Sequence, residues 1–154
     1  MKKLLLAIAM VAFGFTANAQ DGKFNLGGQI GLPTEDGHSF VLGLDANYLF
    51  NVSDGVDLGV ASGLVHYFGE EILGIDIPDY TAVPIGGAVR FDLSDAFVLG
   101  GDLGYMIGVS DNASSEFYYR PMLGYNVSEN TQINASYTGI DGGGHFGVGV
   151  TFGM

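Results

Sequence analysis

The residues able to do chemistry in this chain are few. Its three histidines are His38, His66 and His145. Read at strand period, they fall near the same ends of neighbouring segments, where a shared metal ion would need them on one face. Their parities disagree: His38 and His66 take one face and His145 the other. They read as separate residues, and no metal is expected. Ser62 and His66 share a face, as a hydrolase pair would. Four residues of extended chain hold them roughly 13 Å apart, so no catalytic residue is expected there. Gly142 to Gly147 matches G-x-G-x-x-G by letter. The dinucleotide motif needs a strand before it and a helix after it; here a loop precedes and a strand follows, so the glycines read as turn residues and no cofactor is expected. The acidic residues between segments (Glu35, Asp36, Glu70, Glu71, Asp76, Asp79, Asp111, Glu116, Asp141) lack the spacing of a calcium loop and read as solvated. Through divalent cations they offer a bridge to lipopolysaccharide phosphates. Asp45, Asp57, Arg90, Asp102 and Arg120 stand alone inside apolar segments. A buried charge without a partner is very costly, so these five are expected to close a network.

The elements that carry these residues are strands. The clearest runs over residues 145–152, H-F-G-V-G-V-T-F. Phe146, Val148, Val150 and Phe152 point one way, and Gly147, Gly149 and Thr151 the other. The same contrast of a greasy face with a glycine-rich polar face recurs over 23–32, 39–50, 56–68, 80–91, 96–107, 116–127 and 131–140. That makes eight strands of about ten residues, the length a tilted strand needs to cross a bilayer. The breaks alternate in kind. Those at 51–55, 92–95 and 128–130 are short, whereas those at 33–38, 69–79, 108–115 and 141–144 include the longest. Short turns at one end and longer loops at the other mark an outer-membrane barrel, with the short turns in the periplasm.

Composition narrows the setting. Lys2 and Lys3, an apolar run from Leu4 to Phe15, and Ala17-Asn18-Ala19 read as a signal peptide over 1–19, cleaved after Ala19. The barrel domain is then 20–154. Beyond the leader, only Lys23, Arg90 and Arg120 are basic against 17 acidic residues, which excludes nucleic acid as a partner. There is no cysteine, so disulfides and thiolate metal sites are excluded.

Two placements of the faces compete. A soluble lipid-binding barrel turns its greasy face inward and shows a well-charged exterior with lysine. Here the polar face is mostly Gly, Ala, Asn, Gln and Ser with isolated charges, which suits a narrow lumen filled by side chains. The greasy face carries aromatics near both rims. Phe24, Tyr48, Phe50, Phe91, Phe97, Tyr125 and Phe152 fall near the short turns. Phe40, Phe68, Tyr105, Phe117, Tyr119, Tyr137 and Phe146 fall toward the loops. Two such belts with aliphatics between them match a membrane girdle. The reading is an all-β, eight-stranded, antiparallel up-and-down transmembrane barrel.

Two stretches carry a resemblance: Tyr80-Thr-Ala-Val-Pro-Ile-Gly-Gly-Ala-Val-Arg-Phe91, then Phe97-Val-Leu-Gly-Gly-Asp-Leu-Gly-Tyr105. With its whole architecture, the chain resembles the small outer-membrane β-barrels of Gram-negative bacteria, of the OmpA transmembrane-domain and OmpX kind. It is especially similar to the short barrel or porin-family proteins of Bacteroidota-type genomes. The resemblance implies a monomer with a structural or surface-contact role and no enzymatic activity. A narrow passive channel for small solutes is the alternative it brings. It also implies outer-membrane lipid and the barrel-assembly machinery as partners. The final strand, with Tyr137 beside Phe146, Val148, Val150 and Phe152, resembles the signal that machinery reads. Gly153 and Met154 follow Phe152 and displace the match from the end.

Overall fold

A computed structural model describes residues 22–110 and 113–154; the expected leader and Asp111 lie outside them. The elements in chain order are β1 (Gly22–Pro33), β2 (His38–Ser53), β3 (Val56–Gly69), β4 (Glu71–Ile72), β5 (Ile75–Asp76), β6 (Tyr80–Asp92), β7 (Phe97–Gly108), β8 (Ser115–Ser128), β9 (Thr131–Ile140) and β10 (Gly143–Gly153). Eight of them close into a barrel in the order β1-β10-β9-β8-β7-β6-β3-β2, every neighbour antiparallel. The seam pairs β1 with β10, from Asn25 opposite Gly153 to Pro33 opposite His145. Closure leaves none of these strands with an unpaired edge.

Local chemistry explains the path. Between Ser53 and Val56 the chain reverses through Asp54-Gly55, with Gly55 at φ +70°, a backbone region that glycine enters without steric cost. Gly86 and Gly104 face each other across β6 and β7. A Cβ on Gly104 would run into the Ile85 carbonyl and the Gly86 Cα, so only glycine permits this approach. Pro84 and Pro121 lack an N–H. The β3–β6 pairing lapses between Ser62↔Ile85 and Val65↔Ala82, and the β8–β9 pairing between Tyr119↔Gly139 and Met122↔Ser136, with the register unchanged across each gap. Each gap spans one of these prolines.

The faces run opposite to those of a soluble carrier. Ile30, Leu44 and Leu103 are 66%, 63% and 58% exposed, whereas Asp102 and Arg90 are 1% and 7% exposed. Apolar side chains encircle the outside, and the charged side chains of the strands' mid-height lie inside.

Two expectations need correction. The 69–79 break is not plain loop: β4 and β5 pair in it as a small hairpin. Its tip, Leu73-Gly74, takes φ +53° and +81°. The lumen, expected to be mostly Gly, Ala, Asn, Gln and Ser with isolated charges, holds large apolar side chains in its loop-end half. Val41, Val65, Tyr67, Ala82, Met106 and Tyr118 form one buried cluster there. Period two assigns a side chain to a face, but it does not say which lumen residues meet across the barrel.

Candidate functional site

The lumen is built in layers. Arg120 on β8 forks between Asp45 on β2 (Nη1 to Oδ1, 2.5 Å) and Asp102 on β7 (Nη2 to Oδ2, 2.6 Å; Nε to the same oxygen, 2.9 Å). Arg90 on β6 donates to the other oxygen of Asp102 at 2.7 Å, and to the Gly101 carbonyl at 3.2 Å. Asp102 is thus held by two guanidinium groups. This is the pairing that burial of a carboxylate requires. Asp57 is brought elsewhere: it receives Lys23 Nζ at 3.5 Å and Asn51 Nδ2 at 2.9 Å. Lys23 and Asn51 were not among the charged residues expected to close the network.

Toward the short turns, this ionic layer forms the floor of a vestibule of about 540 Å³. Gln132 and Asn134 line its wall, and Asp95 and Glu129 its mouth. Toward the loops, the apolar cluster fills the lumen. Tyr67 Oη lies 2.8 Å from His145 Nδ1, and His145 is 1% exposed. His38, expected on the face of His66, instead has its ring edge-on to the lumen residue Tyr67 (5.6 Å). A register shift between His38 and Phe40 is the cause, since one extra residue reverses the alternation.

Outside, the aromatics pair within two bands. At the short-turn end, Tyr48 meets Phe50 edge-on (4.8 Å) and Phe97 meets Tyr125 (5.2 Å). Phe24 stands opposite Tyr48, Phe91 opposite Leu99, and Phe152 opposite Leu26. At the loop end, Phe40 stacks on Phe68 (4.1 Å), Tyr105 meets Phe117 (6.1 Å), and Tyr137 meets both Tyr119 (6.1 Å) and Phe146 (4.9 Å). Val148 and Val150 continue β10 opposite Ile30 and Gly28 at the seam.

One cluster escaped sequence reasoning. His66 stands opposite Thr81 in the β3–β6 register, and its Nδ1 lies 2.7 Å from Thr81 Oγ1. Its Nε2 lies 3.5 Å from Asp79 Oδ2. Asp79 Oδ1 also accepts the Gly69 N–H at 2.8 Å, and Ser110 Oγ accepts the Thr81 N–H at 3.3 Å. Ser62 stands opposite Ile85, four positions along β3 from His66. The signal was the cross-strand partner of His66, which only the register reveals.

No protein-family model matches the chain, and no curated protein matches it. Solved structures do. A transmembrane β-barrel from de novo design aligns with TM-score 0.61 at 15% identity, covering 88% of this chain and 98% of that one. Ail, the attachment invasion locus protein of Yersinia pestis, aligns with TM-score 0.57 at 19% identity, covering 86% and 97%. The N-terminal β-barrel domain of Pseudomonas aeruginosa OprF aligns with TM-score 0.56 at 15% identity, covering 87% and 98%. The fold of this chain is that of the small, closed, eight-stranded transmembrane β-barrels.

Proposed function

We propose that the protein is an outer-membrane barrel that stabilises the membrane and presents short acidic loops for surface contacts. It is exported by a leader cleaved after Ala19, folded by the barrel-assembly machinery and works as a monomer. One observation carries this: a continuous band of apolar side chains surrounds a closed barrel whose Arg and Asp side chains at mid-height lie inside. In water such a surface would aggregate; in hydrocarbon, a closed sheet satisfies every backbone group. The lumen supports a structural role rather than a channel, because the ionic layer and the apolar cluster occupy it in series. Around the loops, the acidic residues offer phosphate contact through divalent cations. The test is a gel comparison of the detergent-folded protein with and without boiling. A mobility shift on boiling, with β-rich circular dichroism before it, is the expected result. A protein that stays soluble without detergent and shows no shift overturns the reading.

A further inference from the structure

The loop-end rim places an acid, a base and a hydroxyl in the order that acyl transfer uses. Asp79 Oδ2 lies at ion-pair distance from His66 Nε2 (3.5 Å), and Thr81 Oγ1 at hydrogen-bond distance from Nδ1 (2.7 Å). In the tautomer that carries its proton on Nε2, the nitrogen on the Asp79 side, Nδ1 offers its lone pair and the Thr81 hydroxyl donates to it. The carboxylate is fixed by the Gly69 N–H. Phe68 packs edge-on to the His66 ring at 4.3 Å and sets its plane. Ser110 accepts the Thr81 N–H through its oxygen, which leaves its own hydroxyl hydrogen to donate beside the nucleophile.

Position selects the substrate. His66 and Thr81 have the outward parity of Leu58 and Ile85 on their strands, and the Phe40–Phe68 stack of the loop-end aromatic band adjoins them. Aromatic belts sit at the headgroup level of a bilayer, where fatty-acyl esters meet water. The His66 and Asp79 side chains are 30% and 58% exposed, so an ester carbonyl has access.

We infer that Asp79, His66 and Thr81 form an acyl-transfer site acting on the fatty-acyl esters of surrounding lipid, an inference that rests on the membrane reading above. Thr81 Oγ1 attacks the ester carbonyl carbon, and its proton passes to His66 Nδ1. The Ser110 hydroxyl donates to the developing oxyanion. Collapse breaks the bond to the lipid alcohol, which takes the proton from His66. Water then adds to the acyl-Thr81, with His66 again accepting a proton, and the fatty acid leaves. The sum is ester plus water giving acid plus alcohol. Thr81 and His66 are the catalytic residues; Asp79 is a positioning residue.

The experiment places the full mature protein in phosphatidylethanolamine vesicles in one arm, and in detergent with lipopolysaccharide in the other. Free fatty acid is read by mass spectrometry, and each variant is checked for the heat-dependent gel shift. Release above protein-free controls is expected from the native protein and from Thr81→Ser. Thr81→Val and His66→Asn should lose at least about 100-fold, and Ser110→Ala about 100- to 1,000-fold. A trapped acyl adduct should map to Thr81. The arm that releases acid names the lipid. Release no faster from the native protein than from folded Thr81→Val, in both arms, overturns the site and leaves a structural tie between strand and loop. Absence of the heat shift in the native protein overturns the membrane reading, and the site with it.

Discussion

Arg120 answers two carboxylates at once, and Asp102 answers two guanidinium groups. None of the four is free to lose a partner cheaply. Replacing Arg120 by Leu strands Asp45 and leaves Asp102 with Arg90 alone, deep in the barrel. The expected cost is about 3–5 kcal/mol of unfolding free energy, read from urea unfolding in lipid vesicles. Adding Asp45→Asn to that variant should recover part of the loss, since it removes the orphaned charge. An unchanged denaturant midpoint in Arg120→Leu would sink the idea. This layer was legible in the sequence, because charged residues on a narrow-lumen face must find one another. Its partition was not: Asp57 stands opposite Arg90 in register, yet it bonds Lys23 and Asn51. Side-chain reach decided that, and reach is not written in periodicity.

At the scale of elements, the strands were legible because each buries one kind of side chain and exposes the other over ten or more residues. What escaped were features without a period. The β4–β5 hairpin has two-residue strands, too short to alternate. The bulge beside His38 turned a ring from one face to the other. The outer cluster of His66 and Thr81 depends on which residue of β6 stands opposite β3. The hairpin supplies a prediction of its own. Leu73 is 98% exposed and holds φ +53°, a left-handed conformation that costs a bulky residue about 1–2 kcal/mol. Leu73→Asn accepts that conformation more readily. Hydrogen exchange of the β4–β5 amides should slow by about fivefold for each kcal/mol relieved, with the barrel amides unchanged. Faster exchange in the hairpin would show that the Leu73 side chain stabilises it in another way.

For the whole molecule, the vestibule is open at one end and the lumen filled at the other. Planar bilayers holding the protein should therefore show negligible conductance. Substituting Met106 and Tyr118 together by Gly removes two members of the apolar cluster. That variant should produce brief openings limited by the remaining ionic layer. Large, steady, ion-selective currents from the native protein would contradict the layered lumen. The seam carries a different kind of consequence. Seven of the eight contacts around the barrel join strands that follow one another, apart from the small hairpin between β3 and β6. The eighth joins Asn25 to Gly153, almost the full length of the chain. Contact order is therefore concentrated in a single step, and the loop-closure entropy of that step sets the pace of folding. Until β10 docks on β1, the assembling sheet has two bare edges, so the timing of that one pairing decides whether the chain closes on itself or on a neighbour.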